Sequence, residues 1–219
     1  MANTVFNPFR ILADLTHLLS IIILLDKIRR RKNCAGISFK TQFLLAIVFT
    51  ARYLDIFTNT YSLYNTIFKA VFLAASYYTL YLMTFKHAGT MDKENDIFQI
   101  LYLIIPCVIL GFIFSADHTS VTEILWTFSI ILESVVILPQ ILMLQKTGEV
   151  ENLTANYIVA LGAYRGIYML NWVYRYLTEE HYSAPLVWVF GTIQTALYCD
   201  FFYYYAVSRV KGEKLVLPN

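Results

Sequence analysis

Arg10, Asp14 and His17 stand at i, i+4 and i+7, Arg52 and Asp55 are one turn apart, and Arg165, Tyr168, Trp172 and Arg175 follow i, i+3, i+7, i+10. Glu123, Trp126, Ile130 and Glu133 repeat that last spacing, with Tyr164 and Asn171 beside the arginine set and Asp200 alone in a later apolar run. Helical spacing gathers each set on one face, yet each is embedded in sequence apolar enough for hydrocarbon. An ionised side chain at mid-bilayer costs about 3 kcal/mol or more. These groups are therefore expected to converge on a polar interior. The plainer alternative is a set of ion pairs that fix helix register, Arg52 with Asp55 and Arg10 with Asp14. It accounts poorly for the whole set, because buried ion pairs are a weak source of stability.

The sign of that interior is informative. Arg10, Arg52, Arg165 and Arg175 are guanidinium groups, suited to bidentate capture of carboxylate or phosphate. Glu123 beside Trp126 supplies a carboxylate and a π-face that suit a cation. The predicted ligand is an anionic molecule with one positive end, and a neutral sugar does not fit. His17 brings an imidazole, whose ordinary pKa of about 6.5 lies within the pH range of the secretory pathway. Charging it at acidic pH would strengthen anion binding.

Catalysis is not suggested, since no Gly-x-Ser-x-Gly, His-Glu-x-x-His or Gly-rich phosphate loop occurs. His87, His118 and His181 fall in predicted loops, and Cys34, Cys107 and Cys199 are scattered. No metal site, cofactor, disulfide framework or nucleic-acid partner is expected.

The elements that must position these groups are membrane spans. The chain has 219 residues, 58% hydrophobic and 15% charged, where a soluble domain carries about a quarter charged residues. A spanning helix needs about 20 apolar residues, and seven such segments are predicted at 9–28, 40–58, 66–85, 97–114, 121–144, 154–177 and 185–207. Together they form a single integral-membrane domain over 1–219, with a tail at 208–219. The first span carries Asp14 and His17 and runs into "DKIRRRKN", which reads as a retained anchor and not a cleaved signal. Most of the seventeen Lys and Arg lie in the odd-numbered loops and the tail. The positive-inside bias then makes that face cytosolic and the N-terminus lumenal. The segments "LLSIIILLDK…AGISFKTQFLLAIVFTARYLD" and "ILPQILMLQK…ENLTANYIVALGAYRGIYMLN" echo one another. The expected fold class is an all-α membrane protein of two pseudo-symmetric three-helix bundles joined by a linking helix, with binding at their interface.

Particular segments carry a more specific signal. "LPQ" at 138–140 is similar to the signature of the PQ-loop and SWEET-type transporter fold. "CAGIS" at 34–38, "FTARYLD" at 49–55, "SLYNT" at 62–66, "EILWTFSI" at 123–130, "ESVVILPQ" at 133–140, "YRGIYMLNWVYRY" at 164–176 and "YCDFFYYY" at 198–205 resemble the KDEL receptor family. The resemblance runs from Phe9 to Pro218. It implies a receptor that binds the Lys/His-Asp-Glu-Leu C-terminus of lumenal endoplasmic-reticulum proteins in the acidic Golgi. Release follows in the neutral endoplasmic reticulum, after return by COPI retrograde transport. By that resemblance Arg52 takes the terminal carboxylate with Tyr53 close by, Arg10 and Arg175 answer the two acidic side chains, and Trp172 packs nearby. Glu123 and Trp126 receive the basic residue, and Asp55 is tied to signal preference. His17 is the pH-sensing histidine coupled to Tyr164 and Glu133, and Asp200 serves transport. Lys211 and Lys214 would meet the COPI coat, although Glu213 and Val216 depart from the family's tail pattern. The fold also permits a proton-coupled transporter of an anionic amino acid or peptide, working through His17, Glu133 and Asp200.

Overall fold

The computed structural model describes residues 7–57 and 62–218, and among these the chain is helical apart from one short ladder. Eight α-helices follow in order: α1 (Pro8–Arg31), α2 (Phe39–Arg52), α3 (Leu63–Tyr81), α4 (Leu101–Ile113), α5 (Val121–Val135), α6 (Leu138–Thr147), α7 (Asn152–Thr178) and α8 (Pro185–Lys211). Strands β1 (Glu149–Val150) and β2 (Leu215–Val216) pair antiparallel.

Local chemistry sets the helix starts. Asn7 Oδ1 accepts from the Phe9 N–H at 2.9 Å with Pro8 in the first turn of α1. Ser38, Ser62 and Ser120 do the same for α2, α3 and α5, accepting from the N–H groups of Thr41, Asn65 and Glu123. These caps satisfy donors that have no partner inside the helix. Arg29, Arg30 and Arg31 in the last turn of α1 meet the negative end of its dipole.

Four predicted segments differ from their expected form. The segment at 40–58 is helical only to Arg52, and Leu54–Phe57 is a separate 3-10 turn, so Asp55 leaves the face that carries Arg52. Residues 58–61 lie outside the described residues. The segment at 97–114 yields a helix of 13 residues, about 20 Å long, with Pro106 inside it. The segment at 121–144 is two helices, because Pro139 lacks an N–H and its ring crowds the carbonyl four residues back. Thr41 bridges that break: its Oγ1 donates to the Val136 carbonyl and accepts from the Gln140 N–H, both at 3.1 Å. The tail is not a free extension either. α8 continues to Lys211, Gly212 ends it at φ +67°, and Leu215 and Leu217 return into the core, each 3% exposed.

Packing follows the apolar faces. α1 lies chiefly on α7, α2 on α5 and α3, α4 on α5, and α8 on α5 and α7. One buried cluster joins Leu24, Ile28, Ile158, Leu161, Tyr198 and Phe201, and a second joins Leu44, Val48, Phe49, Ile131 and Leu132. The outward face of α4 leaves Leu101, Tyr102, Ile105, Ile109, Phe112 and Ile113 exposed. A continuous apolar surface of that kind marks contact with lipid or a partner and not with water. Leu63–Lys86 and Val121–Thr147 are long and apolar enough to cross a membrane.

Candidate functional site

Helices α1, α2, α5 and α7 close around a cavity of about 260 Å³, with Phe72 of α3 and Val187 of α8 completing its wall. Arg10, Asp14 and His17 enter from one face of α1, Arg52 from the last residue of α2, Trp126, Ile130 and Glu133 from α5, and Tyr164, Arg165, Tyr168 and Trp172 from α7. Tyr53 and Phe49 fill the space between α2 and α1.

A carboxylate organises the base. Glu133, 2% exposed, meets Arg52 Nη1 at 2.5 Å and Arg165 Nη2 at 3.3 Å, and accepts from the Tyr164 hydroxyl at 2.7 Å. Arg52 Nε donates to Ser129 Oγ at 3.1 Å, and Arg165 Nε donates to Gln194. Arg52 Nη2 is buried and, among the described residues, has no protein acceptor. A desolvated guanidinium N–H without an acceptor is costly, and this guanidinium lines the cavity.

Asp14 is the second internal carboxylate. The hydroxyls of Tyr64 (2.8 Å) and Tyr168 donate to it, and Arg10 Nε approaches to 3.9 Å. Arg10 Nη2 is directed to Asn65 Oδ1 at 2.5 Å. Three arginines thus face the cavity, two of its carboxylates partly compensate them, and an anion still finds a positive wall. His17 is 5% exposed and stacks on Tyr164 at 4.2 Å with the rings 10° apart, and on Phe72 at 4.5 Å.

Trp172 is set by a glycine. A Cβ at Gly191 of α8 would lie 2.3 Å from the Trp172 ring, so only glycine lets α8 approach that closely. Arg165 in turn lies over the indole at 5.6 Å.

A second recess of about 380 Å³ adjoins the cavity across Arg52 and Trp126 and is lined by Asp55, Thr122 and Glu123. Glu123 and Trp126 are therefore brought together: Trp126 lines both recesses, and Glu123 only the second. Asp55 pairs with Lys69 at 2.6 Å and not with Arg52. That departs from the ion-pair alternative, because α2 ends at Arg52 and the following turn swings Asp55 away.

Arg175 departs from the expected converging arginines. It lies one turn beyond Trp172 and holds Glu179 by two bonds, 2.7 Å from Nε and 2.9 Å from Nη2, with Tyr182 stacked 4.3 Å from its guanidinium. Those bonds hold the Glu179 carboxyl below its ordinary range. Asp200 is exposed on α8, away from both recesses, and Lys211 is exposed at the end of that helix. Lys214 reaches Glu149 at 2.7 Å across the ladder. Tyr64, Asn65, Ser129 and Gln194 serve the site without having been expected. Neutral polar residues in apolar helices give no charge signal; only Ser129, one turn from Trp126 and Glu133, could have been found by spacing. Among the described residues no group of three His, Cys, Asp or Glu side chains is placed to hold a metal ion.

Comparisons with known proteins identify the family. The family model described as ER lumen protein retaining receptor matches residues 33–175. The chain is 59% identical over 214 residues to an ER lumen protein-retaining receptor of Entamoeba histolytica, covering 98% of this chain and 100% of that one. It is 55% identical over 219 residues to the receptor of that name from Dictyostelium discoideum, covering 97% and 100%. It is 52% identical over 212 residues to ER lumen protein-retaining receptor 3 of Mus musculus, covering 97% and 98%. With the family model matching most of its length and relatives more than 50% identical over nearly the whole chain, the chain belongs to the ER lumen protein-retaining receptor family.

Proposed function

We propose that this chain is a multi-pass receptor of endoplasmic-reticulum and Golgi membranes that captures the C-terminal Lys/His-Asp-Glu-Leu signal of lumenal cargo. The receptor would cross the membrane seven times as a single domain over 1–219, with two three-helix units, a linking helix, a lumenal N-terminus and a cytosolic tail. Arg52 Nη2, buried without a protein acceptor among the described residues, is the observation that carries the reading. A peptide's terminal carboxylate supplies the acceptor that this donor lacks, and charge-assisted bonds of this kind are the strong ones.

Arg10 and Arg175 then answer the acidic side chains, with Tyr53, Arg165, Tyr168 and Trp172 shaping the cavity around them. The peptide's basic residue lies in the recess of Asp55, Glu123 and Trp126. The relatives' shared name concerns retention of lumenal proteins, which a peptide-capture site explains and catalysis does not. Return by the COPI coat through Lys211 and Lys214, with Asp200 serving transport, completes the cycle.

Binding is strongest at acidic pH. His17 is packed on Tyr164, and the charged groups around it are Glu133 from α5, Arg165 from α7 and Arg52 from α2. A charge on His17 would add to the positive wall that Arg10, Arg52 and Arg165 present to the ligand.

The test is calorimetric titration with a peptide ending in His-Asp-Glu-Leu at pH 5.5 and 7.4, beside its C-terminally amidated form. Tighter binding at pH 5.5, lost on amidation, supports the reading. Binding indifferent to amidation overturns carboxylate capture, and equal binding at both pH values overturns the switch. Uptake of labelled peptide into proteoliposomes would favour a transporter instead.

A further inference from the structure

Each arginine of the site already holds a carboxylate of the chain itself. Arg52 and Arg165 share Glu133, and Arg10 approaches Asp14. The fourth pair, Arg175 with Glu179, lies outside the cavity at the end of α7. It has i,i+4 spacing, but with the acid at the C-terminal end. Glu179 caps the C-terminus of α7, its N–H donating to the Arg175 carbonyl at 2.8 Å. There a carboxylate meets the negative end of the helix dipole, which disfavours it. His181 follows in the left-handed region at φ +67°, a conformation that non-glycine residues adopt at a cost. That turn brings Tyr182 over the guanidinium. Two locally unfavourable placements therefore serve to clamp one arginine between a carboxylate and a ring.

Resting on the proposed peptide capture, we infer that Glu179 is a built-in stand-in for a ligand carboxylate. With Tyr182 it keeps Arg175 turned out of the cavity until an acidic side chain of the signal displaces it. Glu179 is thus a specificity-determining residue. It imposes a threshold at the cavity mouth, where a peptide lacking the matching acid cannot recover the exchange and a peptide carrying it can. The exchange is neutral in charge count, one carboxylate leaving Arg175 as another arrives, so it selects for ligand chemistry without leaving the arginine bare.

The experiment titrates wild type and Glu179→Gln with a peptide ending in His-Asp-Glu-Leu and with its Asp→Asn and Glu→Gln forms. An exposed ion pair of this kind is expected to resist displacement by about two- to five-fold in affinity. The variant should bind the parent peptide tighter by that factor, and one of the two neutralised peptides no tighter than wild type does. Arg175→Gln combined with Glu179→Gln should erase the gain. Glu179→Asp, which keeps the charge but shortens the reach, should give a smaller gain and guards against a folding effect of the first variant. No gain for the parent peptide, or an equal gain for all three, overturns the inference. Failure of wild type to bind the parent peptide at all is a different result, which overturns the proposed function itself.

Discussion

Arg52 and Glu133 meet at 2.5 Å at the base of the cavity, and the same guanidinium keeps its Nη2 buried without an acceptor among the described residues. The chain's own carboxylate thus occupies one end of the fork, and the proposed peptide carboxylate would take the other. Arg52→Lys retains the charge but loses the planar fork. Affinity for the His-Asp-Glu-Leu peptide should fall about tenfold or more, roughly 1.4 kcal/mol, with amidation still costing affinity in the variant. Calorimetry on both peptide forms checks this, and unchanged affinity would show that a point charge suffices.

Glu133→Gln leaves Arg52 and Arg165 facing each other without their shared counter-charge. Removing one partner of a buried pair costs about 3–5 kcal/mol, so the variant should unfold at markedly lower temperature in detergent. A bound peptide should then raise its melting temperature more than it raises that of wild type, because the ligand carboxylate replaces the missing one. A thermal shift assay with and without peptide reads both effects.

Much of this arrangement was legible in the residues. Regular helix places i, i+3, i+4 and i+7 on one face, so Arg10 with His17 and Arg165 with Trp172 were found by spacing, and all four line the cavity. Prediction failed where the helix failed. Asp55 was read as a neighbour of Arg52 on the assumption that α2 runs on, and Arg175 as cavity-facing because its spacing continues that of Trp172. Neither the turn after Arg52 nor the acid and ring that draw Arg175 away is a periodic signal. The burial of Leu215 and Leu217 was equally hidden, since four residues of "LVLP" after a basic stretch look the same free or docked.

Gly191→Ala tests how the indole is held. The added Cβ would fall 2.3 Å from the Trp172 ring, and forcing a methyl into a packed contact costs about 1–3 kcal/mol. The ring should turn, shifting the tryptophan emission and weakening peptide binding about five-fold or more. An unaltered spectrum and affinity would mean that α8 yields in place of the ring.

Gln140→Leu probes the clamp beneath the cavity. The Gln140 side chain, 0% exposed, donates to the Gly36 carbonyl at 2.9 Å and accepts from the Ser38 N–H at 2.9 Å. Stranding those two backbone groups costs about 2–4 kcal/mol. A lowered melting temperature is expected, with peptide affinity in the folded fraction little changed.

The break between α5 and α6 has a mechanical meaning. An unbroken helix of 27 residues, the length of Val121–Thr147, would act as a single lever, so that any tilt at its upper end reappeared below. Here Val136 and Ile137 interrupt the rod, and Thr41 of α2 fastens both sides of the gap. The kink gives the half bearing Glu123, Trp126 and Glu133 an axis of its own, apart from α6 and the β1–β2 ladder. The fastening sits on α2, so the helix that carries Arg52 into the cavity also holds the joint of the fifth segment.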